Sequence, residues 1–543
     1  MGKKAGVVAR RVLAIAMGAK AAHNDVQERH SVTHEITWKD DEGNILDITD
    51  VKHGAFPEHE DLPDKPSKGK YDYVFEGWMP RRTEVTRSAT YRARFLEVDR
   101  SKNGIVFGFY NHAWGCNSRF ITYYDDNYFS TPSTGYDSSL TTFALVLALS
   151  TGKRTFDSTE NADNVKALLK DIGCDRIRIN DYYLSDKKRM DNIGVAIGIK
   201  DIDKPTVFLV IKGSDYGAEF GGNMIMGPEN DHEGFTIAKR RVMEFLRETF
   251  REYGLSGDIR ILVTGYSRAG ATSNLVSTEL TDMVDNGTVE DELGVRIDKR
   301  DLYGFCFEPA LCQYREEPTD GRYDNIVCVI DPNDPVVKIP PVLYGFKVFG
   351  RKEYLDSNNP DVLRRVFAYM DKYFGEGTSS YYNVPKFIPR NDNKTLGDLF
   401  DHMLELSVKS FGDRKFYTEN VQDDLAYTIY EIADNRKAFM KVMSAFESSN
   451  ITFPEFLAIM FSKGDFMDKM VPGLNDPKLL TSTDTKCMRK VMKQVFELLK
   501  RFDPKDLTIL LHELKGNYKC LITPHIPLGP LSFLMADDPN YRL

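Results

Sequence analysis

The sequence predicts an α/β fold, and three observations carry that reading. Short apolar runs alternate with amphipathic helical patterns between residues 192 and 341. One of those runs passes straight into a helix through a turn of small residues, Gly265-Tyr266-Ser267-Arg268-Ala269-Gly270. After about residue 355 the strand patterns give way to helical ones. Strands alternating with helices imply a largely parallel sheet with helices on its faces.

The bulk properties are compatible with this. At 543 residues the chain exceeds the size at which a single core stops growing, so one large domain with an added lobe, or several domains, is expected. Hydrophobic residues make up 41% and charged residues 28%, enough for a core that needs no disulfide or metal staple. A net charge of -9 gives no basic stripe for nucleic acid. The seven cysteines are irregularly spaced and form neither a CxxC pair nor a zinc ligand set. They read as small buried hydrophobes in a reducing compartment, which favours a cytoplasmic location. Lys3, Lys4, Arg10 and Arg11 precede a short apolar run broken by Gly18 and Lys20. That pattern fits a weak signal peptide, and hence secretion, or a surface helix.

In chain order, residues 30–75 are charged, with a turn over 41–47 and a loop over 57–72, and 73–78, 89–99 and 104–111 read as strands rich in Val, Ile, Phe and Tyr. Residues 1–120 are therefore expected to form a partly β N-terminal region. Residues 136–152 are apolar and helical, and 161–174 form an amphipathic helix. Residues 192–202 and 205–213 are two strands joined by a charged turn. Residues 234–254 are a helix with one apolar stripe (Ile237, Val242, Phe245, Leu246, Phe250) and Gly254 at its end. Residues 258–265 are a buried strand, 268–284 a helix, and 301–311 and 325–341 supply two further strands. This section, 121–350, is the expected core. Residues 351–510 read as a mainly helical insertion or lobe, and 511–543 as an apolar C-terminal segment that needs a core to bury against.

The turn at Ser267 has the chemistry of a nucleophile. A serine held on a sharp strand-to-helix corner needs small neighbours, because the backbone there leaves no room for bulk. Gly265, Ala269 and Gly270 supply them, and the helix N-terminus beside Ser267 can stabilise an oxyanion. The plainer reading is a serine capping the helix. A triad acid belongs at the end of a later strand, where Asp331 and Asp334 both stand. Each can equally form an Asx turn before proline. Gly213 and Ser214, after an earlier strand, are placed to supply an oxyanion donor.

Taken together these residues resemble the class 3 lipases, the fungal-type triacylglycerol lipase family, and more closely its larger bacterial members. Lys212-Gly213-Ser214 is similar to the family's Arg-Gly-Ser element, with lysine in place of arginine. His232-Glu233-Gly234-Phe235 looks like its His-x-Gly-Phe element. The elbow matches with only Ala269 departing from the bacterial form. Asn333-Asp334-Pro335-Val336 resembles its acid loop, and Gly304–Ala310 stands where its Phe-Gly-x-Pro strand does. The match runs over residues 190–346 and extends to about residue 125. It implies an α/β-hydrolase fold with a helical insertion or lobe, Ser267 as nucleophile, Asp334 rather than Asp331 as acid, and Ser214 and Arg268 as oxyanion donors. It also implies a lid within 215–235, where Phe220, Met224, Ile225 and Met226 either face an acyl chain or pack the loop to the core. Glu219 and Asn223 are expected to brace that loop, and Arg268 either braces it or pairs with a polar headgroup.

The base must be a histidine held by the acid and within reach of the serine. The family places it after the acid, which leaves His402, His512 and His525. His402 sits mid-helix between apolar neighbours. His525 sits in a Pro-flanked loop, where a base is readily presented, although the residues that usually follow the proline in bacterial members are missing. His525 is the expected base, with His402 and His512 as alternatives. His232 reads as a structural hydrogen-bonding residue. The resulting expectation is a serine ester hydrolase acting on acylglycerols or other lipid esters, with no metal or organic cofactor. Its partners would be a lipid or ester substrate and transient contact with a membrane or micelle surface. The alternatives are a phospholipase, a short-chain esterase, or an inactive lipase-fold binding protein.

Overall fold

A computed structural model describes residues 32–59, 63–111, 116–152, 162–180, 193–213, 218–382, 395–434, 497–498, 500–506 and 523–543. The chain forms two compact units. The first comprises Met1–Phe107 with Ser118–Ile121, and the second the remainder.

In the first unit, β1 (Thr33–Lys39), β2 (Ile45–Lys52), β3 (Tyr71–Met79) and β4 (Ala89–Asp99) form a sheet of order β2-β1-β4-β3. β1 runs parallel to β4, and the other pairs are antiparallel. The charged stretch forms the β1–β2 hairpin, whose turn at Asp40–Asn44 falls where a turn is expected, while its two strands are not expected. Its β2 is almost wholly exposed, so it lacks the alternation that marks a half-buried strand. Alternate residues of β1 and β4 point inward instead, and Ile36, Trp38, Tyr91 and Ala93 form a small core with Trp78 and Val85.

The second unit is built on a seven-stranded sheet. β5 (Gly104–Asn111) and β6 (Cys116–Tyr123), whose residues are divided between the two units, form a separate pair. The large sheet has the order β13-β12-β11-β10-β9-β8-β7, with β7 (Arg176–Ile179), β8 (Val195–Asp201), β9 (Pro205–Ile211), β10 (Asp258–Tyr266), β11 (Arg296–Phe307), β12 (Ile326–Ile330) and β13 (Arg351–Tyr354). β9 to β13 are parallel, while β7, β8 and β9 pair antiparallel. Four of its six pairings are parallel, so the sheet is largely parallel as expected, with an antiparallel edge at β7 and β8. The three-residue turn between β8 and β9 is too short for the crossover that parallel strands require.

Helices cover both faces of this sheet. α1 (Ser138–Leu149) packs on β10 and β11, and Thr264 Oγ1 donates to its Ala144 carbonyl at 2.9 Å. α2 (Asp163–Asp171) packs on β8. α3 (Glu233–Glu252) and α4 (Arg268–Asn286) lie on the face opposite α1. There Ile261 and Val263 of β10 join Val242, Leu246, Val276 and Leu280 in the largest core cluster. Leu262 and Thr264, one residue out of step, point the other way. α5 (Val289–Leu293) closes the crossover from α4 to β11.

β13 belongs to the sheet, so the helical part begins after it. The described residues there form α6 (Pro360–Phe374), α7 (Thr378–Tyr382), α8 (Leu396–Phe411), α9 (Arg414–Asn420) and α10 (Gln422–Asp434). Most of the helices predicted for 435–510 lie outside the described residues. α9 contributes Tyr417 to the core cluster around β11 and β12, where Val421, between α9 and α10, also packs. α11 (Leu528–Asp537) packs between α1 and α6. No described helix is long and apolar enough to cross a membrane.

Candidate active site

The turn after β10 is a tight corner. Ser267 sits at φ 61°, ψ -124°, a conformation that L-residues other than glycine rarely adopt. Its N–H donates to the Phe307 carbonyl at 2.8 Å, tying the corner to the end of β11. A Cβ on Gly265 would meet the Ala269 carbonyl oxygen at 2.5 Å, and one on Gly270 would meet that of Phe307 at 2.6 Å. Those two positions have no room for a side chain. The methyl of Ala269 instead fits the core under α4, which explains the departure from the resembled pattern. Ser267 makes no capping bond, so its hydroxyl is not committed to the helix.

That hydroxyl points at His525. His525 Nε2 lies 2.8 Å from Ser267 Oγ, and Nδ1 lies 2.6 Å from Asp334 Oδ2. Asp334 is fully buried and His525 nearly so. Three chain segments meet here: the β10–α4 corner, the loop after β12, and the short turn Thr523–His525 that leads into α11. The last replaces the plain loop expected there. Its position is set by burial. Ile526, Leu528, Leu531, Leu534 and Met535 are all buried, and Tyr266 Oη donates to the His525 carbonyl at 3.0 Å. Ser139 at the start of α1 holds Asp538 at 2.7 Å, anchoring the far end of α11.

The other candidates lie elsewhere. His402 is on the exposed side of α8, 3.9 Å from Glu405. His512 and Ser214 fall outside the described residues. Arg268 opens α4, and the N–H groups of a helix's first turn point out of the helix. Its side chain is buried, donates to Asn223 Oδ1 at 2.6 Å, and lies over the Phe235 ring. Asn223 also accepts from His232 through its carbonyl, at 3.1 Å. His232 Nδ1 accepts the Phe235 N–H, so Nε2 carries the proton, and burial pushes the imidazole down to about 3. It is a neutral structural histidine. In the stretch expected to contain a lid, Met226 is in the core, while Phe220, Met224 and Ile225 are half-buried. α9 straps this stretch. Arg414 Nε donates to the Gly227 carbonyl at 2.9 Å, and Tyr417 Oη to that of Met224 at 3.0 Å.

Sequence reading did not single out Glu308, which follows β11. It is fully buried, and its carboxyl accepts the Asp331 N–H at 2.9 and 3.1 Å. Burial, with the charges of Asp334 and Asp331, pushes it well above the usual carboxylate range. Burial also pushes Asp331 up to about 6, against opposing bonds from Ser357 and the Asn333 N–H. Its side chain holds those two groups and not the imidazole, so Asp334 alone of the two aspartates meets His525. A glutamate beside a strand-end proline, followed by two aspartates after the next strand, was the available signal. Nothing in their spacing says that they converge.

A stability prediction arises here. Asp331 binds its proton more tightly folded than unfolded. That contribution is full below about pH 4 and is lost as pH rises through about 6. It amounts to on the order of 3 kcal/mol. The melting temperature of Asp331→Asn is therefore expected to gain on that of the unaltered protein between pH 4 and 7. A gap that stays constant over this range would show that Asp331 ionises alike in both states.

No protein-family model matches the chain, and no curated protein matches it. Among the solved structures to which the chain is similar are several fungal lipases. The triacylglyceride lipase of Rhizomucor miehei is 17% identical with a TM-score of 0.28, over 41% of this chain and 80% of that one. Lipase II from Rhizopus niveus is 15% identical with a TM-score of 0.26, over 40% and 79%. The lipase from Rhizopus microsporus var. chinensis is 14% identical with a TM-score of 0.27, over 44% and 78%.

Proposed function

We propose that the protein is a serine ester hydrolase that acts on acylglycerols or other lipid esters through Ser267, His525 and Asp334. The observation that carries this reading is the imidazole of His525 bridging a strained, half-buried serine and a fully buried carboxylate. Asp334 can only accept, so Nδ1 carries the proton and Nε2 is left as the acceptor for the serine hydroxyl. Ser267 Oγ attacks the ester carbonyl while its proton passes to Nε2. The imidazolium is stabilised by Asp334. The oxyanion takes the Arg268 backbone N–H, and the lipase resemblance assigns Ser214 as its second donor. Nε2–H then protonates the leaving alcohol, and water repeats the cycle on the acyl-enzyme.

Apolar side chains of the 218–226 stretch support an acyl rather than a polar substrate. The half-buried Phe220, Met224 and Ile225 come from the segment that touches Arg268 through Asn223. The test is the unaltered protein on p-nitrophenyl esters from short to long chain, with an organophosphonate as covalent probe. Ester turnover and a phosphonyl adduct on Ser267 are expected. A protein inert on every ester and unlabelled by the probe would overturn the reading in favour of a binding scaffold.

A further inference from the structure

We propose that Glu308 is a protonated carboxylic acid that donates a hydrogen bond to Asp334 and so sets the charge and aim of the group behind His525. The inference rests on the triad reading above and assigns Glu308 as a positioning residue for it.

The first ground is crowding. Glu308, Asp331 and Asp334 are all buried at the carboxyl ends of β11 and β12; the Asp331 N–H donates to the Glu308 carboxyl and the Asp334 N–H to the Asp331 carbonyl at 3.0 Å, which holds the three residues together. Among the described residues, none of the three forms an ion pair with lysine or arginine. Lys338 acts on Asp331 only weakly, and its ammonium is held by Asp401 at 2.9 Å. The loop after β13 offers neutral Ser357, whose hydroxyl donates to Asp331, and Asn358, reached through Asn333. The N-terminus of α8 offers the Gly397 N–H, while Asp398 is turned back onto Thr395. Two adjacent buried carboxylates with no cation strongly disfavour double ionisation, so one of them keeps a proton.

The second ground decides which one. Bonds donated to a carboxylate favour its charged form. Asp334 receives two, from the Val336 N–H at 2.8 Å and from His525 Nδ1. Asp331 also receives two, from the Asn333 N–H and the Ser357 hydroxyl. Glu308 receives a single backbone N–H, shared between its oxygens. It is the poorest anion site of the three and the natural holder of the proton. The third ground is backbone strain. Glu308 sits at φ 43°, a left-handed backbone conformation that residues other than glycine rarely adopt. The strain delivers a carboxyl to this spot. A neutral donor there steadies Asp334 without adding a second negative charge behind the imidazole.

The test compares Glu308→Gln, which keeps the shape and an N–H donor, with Glu308→Ala, which removes the donor. Three readouts apply to the full-length protein: the acid limb of kcat/KM, the low-field proton resonance of the His525–Asp334 bond, and the infrared carbonyl band of a protonated carboxyl at pH 7.5. The unaltered protein should show that band and Glu308→Gln should lack it. Without its donor Asp334 is a stronger anion, so Glu308→Ala should move the acid limb up by about one pH unit, with the low-field resonance shifted. Glu308→Gln should restore both. The proposal is overturned if the band is missing, or if alanine and glutamine give the same limb. It is equally overturned if glutamine moves the limb down by about one unit, the mark of a removed negative charge. Should Glu308→Ala not fold, the band and the glutamine limb decide. A protein inert on esters would refute the hydrolase reading alone, since the band and the resonance are read without turnover.

Discussion

Ser267→Ala is expected to lower kcat/KM on p-nitrophenyl esters by three to six orders of magnitude, to a residue supplied by binding and the oxyanion donors, roughly 10³-fold or more above the water rate. The fall should be in kcat. In the proposed mechanism neither Asp334 nor His525 can substitute for the missing oxygen, because the members of such a triad act as one unit. The fold should survive. Ser267 Oγ caps nothing in α4, and alanine at φ 61° carries a strain like that of the serine it replaces. The anchors of the C-terminal segment, from Tyr266 Oη to the His525 carbonyl and from Ser139 to Asp538, do not involve the lost hydroxyl. An unchanged melting curve with lost turnover and lost phosphonate labelling is the full expected result. A folded variant that turns esters over at the original rate would remove Ser267 from the chemistry.

Asp334→Asn is expected to lower kcat by on the order of 10⁴-fold, with KM little altered. The Val336 N–H fixes which way the amide lies. It donates to Oδ1, so the carbonyl oxygen of asparagine keeps that place and the amide nitrogen takes the place of Oδ2. The nitrogen then donates to Nδ1 of His525, which must give up its proton to accept. The proton moves to Nε2, and the imidazole can no longer take one from Ser267. The two side chains differ by one atom type, so the loss reports tautomer rather than packing. Stopped-flow or steady-state kinetics near neutral pH decide the matter, and a fall below about tenfold would show that another group orients the imidazole.

Several elements of the fold are legible in the chain because their signals are local. β4 and β5 match the predicted strands, since alternation and β-branched or aromatic content are enough to mark them. α3 carries its apolar stripe and is closed, just past its cap at Tyr253, by Gly254, where φ is 59°. β1 and β2 were not legible as strands, since an exposed hairpin of charged residues presents no period-two face. The antiparallel pairing of β7, β8 and β9 was not legible either, because a single run of buried residues has the same look in either direction.

The sequence by itself determined the α/β class of the second unit and the corner at Ser267, with the small residues that let it close. It also marked an apolar C-terminal stretch in need of a core. These are properties of contiguous residues, set by period and by steric room. Only the tertiary structure decided that His525 meets Ser267 across 258 residues of chain and Asp334 across 191, while His402 stays on an exposed helix face. Only it brought Glu308 against both aspartates. The physical reason is that a side chain's partner depends on where whole elements are buried. α11 is held between α1 and α6 by apolar contacts along its length, and His525 arrives at the serine as a consequence of that burial.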